Sequence, residues 1–427
     1  MSFSYLLFLV YDLFCRKQLT KTIKQLEYFY HSGTKPSDTT LLRYAVKHVP
    51  FYQSEHSNAL TLEDFPVVNK ELIKCRQKDF ISNECKIEKL IQRKTSGSNG
   101  VPFFFYWDKK KALSRTAEII YHNGWIGYQV GDRHLLNAVG LSKTALTLYF
   151  QKEIITNPRT ISEKWLALQK KMLIENKIPF YIGFGSVIDR FTKYCAASGD
   201  HNKMFFLKGI ISTAEHLSER SRAQTESQFG CPVLRRYATL ETGVLAHECL
   251  EGRKYHVNSG CYRIEFLKLG SDKPAEPGEL ARIVVTDLNA YAMPLIRYDI
   301  GDLAIIDHEP CFCGRKGVVI KELVGRRTDN LIGENGQIVS WISISDIMWS
   351  FPNIERFQVI QINRREFAVN VVSQDNYDTQ KLIRAFNTLL GDSIHVQLNN
   401  VDFIAPPESG KIPYIINKML PATTSDA

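Results

Sequence analysis

The chain has 427 residues, 44% of them hydrophobic, so it can bury a large core and is longer than a single domain usually is. Its formal net charge is +9 at pH 7, but the basic residues are scattered and form no run typical of a nucleic-acid-binding arm. We therefore expect no nucleic-acid partner and a mild preference for anionic ligands or an anionic membrane face. Nine irregularly spaced cysteines indicate a reducing, cytoplasmic setting, with thiols that are free or metal-bound.

The N-terminal stretch from Phe3 to Phe14 is apolar and has helical periodicity. It contains Asp12 and is much shorter than the ~20 apolar residues that a membrane-spanning helix needs. It also lacks a basic leader and a small-residue cleavage site, so it predicts neither a transmembrane span nor a secretion signal. Docking of this helix onto the protein body, or peripherally onto a membrane surface, stays open.

Periodicity predicts the further elements in chain order. Helical spacing marks residues 41–46, 112–125, 163–176, 218–229, 341–350 and 379–390. Apolar or alternating runs predict strands at 90–92, 101–107, 135–139, 204–211, 279–286, 303–306, 357–362, 366–372 and 395–401, and residues 297–302 are predicted to form a loop. The alternation of strands and helices indicates an α/β fold with sheets packed by helices.

Residues 325–330 are polar, charged and rich in chain-breaking residues, which is the composition of a linker. We therefore expect a large N-terminal domain of β-sheets packed with helices at residues 1–324, a hinge at 325–330, and a small, mobile C-terminal α+β domain at 331–427.

A polar turn between two apolar strands has the features of a phosphate-binding loop. It contains Thr95, Ser96, Gly97, Ser98 and Gly100. The small side chains let the backbone approach an oligophosphate, and the amides and hydroxyls can donate to phosphate oxygens. The turn lacks the Gly-Lys-Ser/Thr ending of a P-loop, so an ordinary turn is the alternative.

Four more motifs follow this turn. They are residues 237–243 (Tyr-Ala-Thr-Leu-Glu-Thr-Gly), residues 296–302 (Ile-Arg-Tyr-Asp-Ile-Gly-Asp), Gly325-Arg326, and Ser409-Gly410-Lys411. With residues 95–102, and in this order, they resemble the motifs of the adenylate-forming superfamily. Within it, the chain is similar to the phenylacetate-CoA ligase-like branch, which includes enzymes of capsular-polysaccharide gene clusters. The resemblance spans nearly the whole chain.

The resemblance implies that ATP binds with Mg²⁺. It assigns Glu241 to Mg²⁺, which prefers a protein carboxylate together with substrate phosphates. Asp302 matches the aspartate that accepts hydrogen bonds from both ribose hydroxyls. Tyr237 corresponds to the aromatic residue beside adenine, and Ala238 and Arg326 belong to the same nucleotide-binding motifs. From the residues alone, a solvated loop acid and a Gly-Asp turn are the alternatives for the two acids.

Lys411 matches the lysine of the mobile domain that reaches the α-phosphate and the carboxylate during adenylation. A fixed cation brought into a dry site stabilises the charge that develops on phosphorus. Domain closure about the hinge would bring Lys411 to the site only when substrates are bound. From composition alone, Lys411 is a surface lysine.

Three residues depart from the family motifs. Ala238 stands where glycine is usual, Leu240 replaces a small hydroxyl residue, and Asn99 replaces a common threonine. The loss of one well-placed donor can cost on the order of 10²-fold in rate, so we expect lower activity.

A second group of residues predicts a structural zinc site. Cys249 and His256 come from one loop region, and Cys311 and Cys313 form a tight Cys-x-Cys turn. Two pairs of this kind can complete a tetrahedral site. The resemblance also implies zinc here, because some members of the phenylacetate-CoA ligase-like branch carry zinc at a matching position. The alternatives are free buried cysteines, or participation of Cys231 or Cys261.

The resemblance implies an enzyme that uses ATP to convert a carboxylic acid to its acyl-AMP and then transfers the acyl group to coenzyme A. No residue identifies a coenzyme A site, so transfer to another acceptor, such as a polysaccharide, stays open. AMP transfer to a cofactor and a non-catalytic nucleotide- and zinc-binding protein are further alternatives. A homodimer is also left open.

Overall fold

The structure is a computed structural model that describes residues 3–95, 103–141, 143–326, 330–351, 353–373, 375–404 and 414–419. The helices are α1 (Phe3–Phe14), α2 (Gln18–Ser32), α3 (Thr39–His48), α4 (Pro50–Glu55), α5 (Lys70–Cys75), α6 (Lys109–Asn123), α7 (Ala145–Gln151), α8 (Glu163–Glu175), α9 (Gly185–Ala197), α10 (Glu219–Phe229), α11 (Trp341–Trp349) and α12 (Thr379–Leu390).

The strands follow the same chain order. They are β1 (Val68–Asn69), β2 (Ile91–Thr95), β3 (Phe103–Trp107), β4 (His134–Asn137), β5 (Glu153–Thr156), β6 (Phe180–Phe184), β7 (Gly209–Thr213), β8 (Val233–Ala238), β9 (Val244–Glu248), β10 (Tyr255–Val257), β11 (Tyr262–Leu267), β12 (Leu280–Asp287), β13 (Tyr298–Ile306), β14 (Val319–Arg326), β15 (Leu331–Ile332), β16 (Ile338–Val339), β17 (Ile354–Gln361), β18 (Glu366–Ser373), β19 (His395–Asn400) and β20 (Ile415–Asn417).

One large sheet of twelve strands dominates the described part of the chain. Its order is β11-β12-β13-β14-β10-β9-β8-β7-β6-β4-β5, with β1 added beside β13. Strands β4 to β8 pair in parallel, and the helices α7, α8, α9 and α10 connect them as crossovers. From β8 to β11 the main-path pairing is antiparallel. Strand β8 is therefore the strand at which parallel pairing, with β7, changes to antiparallel pairing, with β9.

Local sequence explains why the helices begin and end where they do. The side chain of Ser218 accepts a hydrogen bond from the amide of Ser221 at the start of α10, and Gly230 ends that helix with a φ of 66°. Asp378 caps α12 in the same way, through the amide of Lys381. The predicted bounds of α1 and α12 are confirmed.

A second core lies under the N-terminal helices. Tyr52, Phe80, Phe103 and Tyr298 are fully buried there, together with residues of α3 and α4. Strands β2 and β3 form a hairpin in which Thr95 pairs with Phe103. The buried face of β3 and the first residue of β13 therefore share one apolar cluster.

The C-terminal part is a distinct small domain. Its four-stranded sheet has the order β19-β18-β17-β20 and packs with α11 and α12 around residues such as Phe357, Val369 and Phe386. Gly325 precedes this domain with a φ of +91°, and a Cβ there would lie 2.4 Å from Trp341 Nε1. A side chain is therefore excluded at Gly325 by both conformation and space. The exact bounds of domains and hinge stay a prediction.

Two predicted elements are wrong. Residues 297–302 do not form a loop, because β13 begins at Tyr298 and runs through Asp302, paired with β12 on one side and with β1 on the other. Backbone hydrogen bonds form this strand, so its glycine and charged side chains are tolerated. The predicted strand at 204–211 begins only at Gly209, where a Cβ would come within 2.5 Å of Ile126.

No helix among the described residues has the length and apolar character needed to cross a lipid bilayer. This agrees with the prediction made for the stretch from Phe3 to Phe14.

Candidate functional site

Glu241 lies in the tight turn between β8 and β9, and its neighbours hold that turn in place. The amide of Thr239 donates to the carbonyl oxygen of Gly243 (3.0 Å), and the amide of Thr242 donates to Thr239 Oγ1 (3.2 Å). Trp107 Nε1 donates to the carbonyl oxygen of Glu241 itself (3.2 Å). The main chain at Glu241 is therefore fixed. The side chain that carries the carboxylate is half-buried.

Asp302 and Tyr237 meet across the large sheet. Tyr237, near the carboxyl end of β8, donates its hydroxyl to Asp302 Oδ2 on β13 at 2.6 Å. Burial, and then the Asp302 carboxylate, raise the pKa of Tyr237 well above its ordinary value. Three strands lie between β8 and β13 in the sheet order, so a flat sheet would separate them by about 19 Å. The sheet must therefore curve strongly to bring these residues together.

Lys70 contacts the edge of the polar turn and lies near Glu241. Its Nζ donates to Thr95 Oγ1 at 3.2 Å, where Thr95 is the last described residue before residues 96–102. Burial lowers the pKa of Lys70, the carboxylate of Glu241 opposes this shift, and the charge of Arg326 adds to it. Because salt screens charges that lie far apart, both Glu241 and Arg326 must lie near Lys70.

Tyr298 shows independently that the acids share one region. Burial raises the pKa of its hydroxyl well above the ordinary value, and the carboxylates of Glu241 and Asp302 raise it further. Asp302 also faces Arg326 as its strand partner between β13 and β14. Glu241, Asp302, Arg326 and Lys70 therefore form one charged group near the carboxyl end of β8.

Several predicted site residues lie outside the described part of the chain. These are Ser96, Gly97, Ser98, Gly100 and Lys411. The structure describes Thr95 at one edge of the predicted phosphate loop and the strands β2 and β3 that flank it.

The departures at Ala238 and Leu240 fit the local backbone. Ala238 is the last residue of β8 and pairs with Val244. Its φ is negative, so the methyl group causes no backbone strain. Leu240 is 53% exposed in the turn. Neither side chain displaces Glu241 or Tyr237.

The arginine of the 296–302 motif has a structural contact. Arg297 has a φ of 46° and an ion pair with Glu265 at 2.9 Å, and its Nη1 donates to the carbonyl oxygen of Phe65 at 3.0 Å. The guanidinium group of Arg297 therefore fixes the start of β13. Tyr298 and Asp302, further along this strand, lie near Glu241 and Arg326.

A fully buried polar network, not anticipated from the sequence, supports the turn that carries Glu241. Lys111 Nζ lies 2.5 Å from Asp287 Oδ2 and donates to the Tyr262 hydroxyl at 3.2 Å. That hydroxyl donates to Glu118 Oε2 (2.7 Å), which also accepts the amide of Val244 (3.0 Å). All four side chains are inaccessible to solvent.

The network fixes the backbone immediately after Glu241. The Tyr262 hydroxyl lies 3.1 Å from the carbonyl oxygen of Thr242. A Cβ at Gly243 would come within 2.5 Å of this hydroxyl and 2.7 Å of Glu118 Oε2, so the network requires glycine there. Burial raises the pKa of Glu118 to about 7, although the charge of Lys111 opposes the shift.

The structure brings together all four predicted zinc ligands. Cys249 follows β9, His256 lies on β10, and Cys311 and Cys313 lie in the loop between β13 and β14. Their ligand atoms are all within 4.8 Å of one another, with 3.6 Å between the sulfurs of Cys249 and Cys311 and 3.3 Å from Cys313 Sγ to His256 Nε2. The group contains neither Cys231 nor Cys261.

The chemistry of this Cys/His cluster fits a tetrahedral metal ion. Sulfur ligands ~2.3 Å from zinc at tetrahedral angles lie roughly 3.8 Å apart, close to the observed separation. Burial, and then the charge of Arg315, lower the pKa of His256 to about 4, so its imidazole is neutral. The amide of Gly252 donates to Cys249 Sγ at 3.2 Å. A Cβ at Gly252 would overlap Cys311 Sγ at 2.2 Å.

Comparisons with known proteins agree with this architecture. Residues 331–418 match the CapK C-terminal domain family. The chain is 23% identical over 376 residues to Protein CapK of Staphylococcus aureus, covering 84% of this chain and 80% of that protein. It is 29% identical over 162 residues to phenylacetate-coenzyme A ligase of Thermus thermophilus, covering 37% of this chain and 36% of that protein.

Solved structures decide the fold. A 2-hydroxyisobutyryl-CoA ligase in the postadenylation state, in complex with R3-HIB-AMP, superposes with a TM-score of 0.71 at 15% identity, covering 93% of this chain and 88% of that chain. The chain has the adenylate-forming ligase fold. The O-succinylbenzoate coenzyme A synthetase of Bacillus subtilis, in complex with AMP, is also similar, with a TM-score of 0.55 at 15% identity and coverage of 76% and 67%. These relatives are adenylate-forming acyl-CoA ligases.

We predict that Lys111→Met destabilises the protein by about 3–5 kcal/mol, because it leaves the carboxylate of Asp287 buried without its cation. The matched variant Lys109→Met removes an exposed lysine two positions away and should change stability by less than ~0.5 kcal/mol. Urea denaturation followed by near-UV circular dichroism measures both. Adding Asp287→Asn to Lys111→Met should recover part of the loss. Equal stabilities of the two single variants would contradict a paired buried charge.

Proposed function

We propose that this protein uses ATP and Mg²⁺ to activate a carboxylic acid as its acyl-AMP and then transfers the acyl group to a thiol of the coenzyme A type. The observation that carries the proposal is the grouping of Glu241 and Asp302 with Lys70, Arg326 and Thr95. Acids and bases assembled beside a hydroxyl-rich turn suit a ligand with a ribose at one end and phosphates at the other. The adenylate-bound and coenzyme A-bound structures of the 2-hydroxyisobutyryl-CoA ligase support the same reaction class.

Each residue then has one task. Asp302, with one carboxylate oxygen engaged by Tyr237, accepts hydrogen bonds from the ribose hydroxyls. The ring of Tyr237 lies beside the base. Glu241 binds Mg²⁺ together with phosphate oxygens, and the fixed backbone of its turn holds the carboxylate in position. Thr95, Ser96, Gly97, Ser98 and Gly100 contact the phosphates, and Lys70 adds a cation at their edge.

Mg²⁺, when bound, neutralises charge on the phosphates and on the pyrophosphate that leaves. Lys411, on the small domain, stabilises the charge at the α-phosphate after the domains close about Gly325 and Arg326. Gly325 suits a hinge because its positive φ is accessible to glycine at little cost.

We propose that the Cys/His cluster holds a structural zinc ion through Cys249, His256, Cys311 and Cys313. The ligand separations and the neutral imidazole support this assignment. The ion would join the loop after β9 to the loop after β13. Because Tyr237 precedes the first loop and Asp302 precedes the second, the zinc would stabilise the strands on both sides of the nucleotide.

The reaction is tested by exchange of radiolabelled pyrophosphate into ATP with a panel of carboxylic acids. We expect exchange that depends on one class of acid and on Mg²⁺, and a fall of at least ~100-fold in Glu241→Gln, since a metal ion supplies several kcal/mol of transition-state stabilisation. The control Glu276→Gln, at an exposed loop position, should exchange normally.

The same assay separates the alternatives. Measurable ATP binding without exchange for any acid would support a non-catalytic binding protein and contradict the proposal. Acid-independent incorporation of AMP into a cofactor would support AMP transfer. Acid-dependent exchange without thioester formation on addition of coenzyme A would support another acyl acceptor.

The zinc proposal predicts about one zinc ion per chain in protein purified without added metal, measured by inductively coupled plasma mass spectrometry. Gly252→Ala should lose most of the zinc, because its methyl group would overlap the sulfur of Cys311. Gly270→Ala, where a Cβ would meet no atom within 4 Å, is the matched control and should keep it. A metal-free, stably folded wild-type protein would contradict the zinc assignment.

A further inference from the structure

Helix α1 exposes an apolar stripe on the side that faces away from the protein body. Leu6, Val10, Leu13 and Phe14 are 46%, 45%, 62% and 82% exposed, respectively. Their spacing of i, i+4, i+7 and i+8 places them on one face of the helix. A helix that is apolar all round is normally buried on all sides. The exposed apolar face of α1 therefore suits contact with another apolar surface.

The one acidic residue of α1 is turned inward. Asp12 is 2% exposed, and its carboxylate accepts hydrogen bonds from the amides of Leu19 (2.8 Å) and Thr20 (3.1 Å), at the start of α2. These contacts satisfy free amides at the N-terminal end of α2. The charge of Asp12 is therefore absent from the apolar stripe.

Helix α2 and the residue before it expose a basic stripe. Lys17, Lys21 and Lys24 are exposed, and Tyr28, one turn further on, is 60% exposed. The buried residues Leu19, Leu26 and Phe29 lie on the opposite side of α2. Lys17 is the residue that precedes α2 and has a φ of 58°. Within the helix, separations of three and four residues place Lys21, Lys24 and Tyr28 on one face, and Glu27 is exposed beside them.

Both stripes lie on the sides of their helices opposite one shared apolar cluster. Phe8 and Cys15 of the α1 segment, Leu19 of α2, and Leu113 and Ala117 of α6 pack in one small apolar cluster. Both helices therefore lie on α6, and the side of each helix opposite this cluster points away from it. Arg16 and Lys17, in the short turn between the helices, place basic charge directly after Leu13 and Phe14.

We propose that the outer face of the α1–α2 hairpin is a docking surface for an anionic lipid membrane. Leu6, Val10, Leu13 and Phe14 insert at the level of the acyl chains, while the lysines of α2 contact anionic headgroups. An interfacial helix binds through the sum of buried apolar area and electrostatic attraction, and the hairpin supplies both.

Charge complementarity selects the membrane over a second copy of this chain. A two-fold contact is formed by the same surface on both partners, so a dimer built on this face would place the lysines of both copies in one interface. The accumulation of like charge in one interface disfavours association. An anionic bilayer has the opposite charge and also accepts the apolar stripe. The inference does not depend on the proposed nucleotide chemistry.

The test is co-sedimentation of the full chain with vesicles of phosphatidylcholine, with and without phosphatidylglycerol. We expect binding to the anionic vesicles that weakens as salt is raised. Each basic residue near an anionic surface strengthens binding by roughly fivefold, so the triple variant Lys17→Gln, Lys21→Gln, Lys24→Gln should bind on the order of 100-fold more weakly. Leu13→Ser combined with Phe14→Ser should weaken binding at least ~10-fold.

Matched variants elsewhere separate this face from general surface effects. Lys164→Gln, Lys203→Gln and Lys208→Gln remove three exposed lysines, and Leu60→Ser with Phe403→Ser removes two exposed apolar side chains. The apolar control should bind as the wild type does, and the lysine control should lose far less affinity than the α2 variant. Three results would each overturn the proposal. The first is equal binding to neutral and anionic vesicles, and the second is an equal loss of vesicle affinity in the test and control variants. The third is a dimer that Leu13→Ser and Phe14→Ser abolish, in a protein that does not bind vesicles. Circular dichroism checks that every variant is folded.

Discussion

The hydrogen bond from Tyr237 to Asp302 is the constraint on which the candidate site depends. It joins β8, where the parallel part of the sheet ends, to β13 in the antiparallel part. The strands between them must curve for two side chains from these positions to meet at 2.6 Å. Glu241, in the turn after β8, lies near enough to Lys70 for its carboxylate to raise the pKa of that lysine against the effect of burial.

The curved sheet is fastened at two places near this contact. On one side, the Lys111, Glu118, Tyr262 and Asp287 network fixes the turn that carries Glu241 and has no group exposed to water. On the other side, the Cys/His cluster gathers ligands from the loops that follow β9 and β13. A buried ionic network is costly to desolvate and is therefore weak evidence for stability. Its position beside Gly243 indicates instead that it determines the shape of the turn.

The sequence predicted the parts of the fold that depend on local chemistry. The bounds of α12 follow from the spacing of Leu382, Phe386 and Leu390. The four Cys/His residues that the sequence pairs by ligand type lie together in the structure. The strand through Asp302 was missed, because a Gly-Asp pair is typical of turns and its strand partners come from distant parts of the chain. Lys70 was missed for a related reason. A single lysine at a helix start carries no signal, and its contact with Thr95 exists only after β1 pairs with β13.

The most direct test of this account is a crystal structure of the protein with ATP and Mg²⁺. The account predicts ribose hydroxyls within hydrogen-bonding distance of Asp302, the base beside Tyr237, and phosphates between Thr95 and a Mg²⁺ ion bound by Glu241. Nucleotide bound elsewhere, with the carboxylates of Glu241 and Asp302 both free of contact with it, would contradict the central claim.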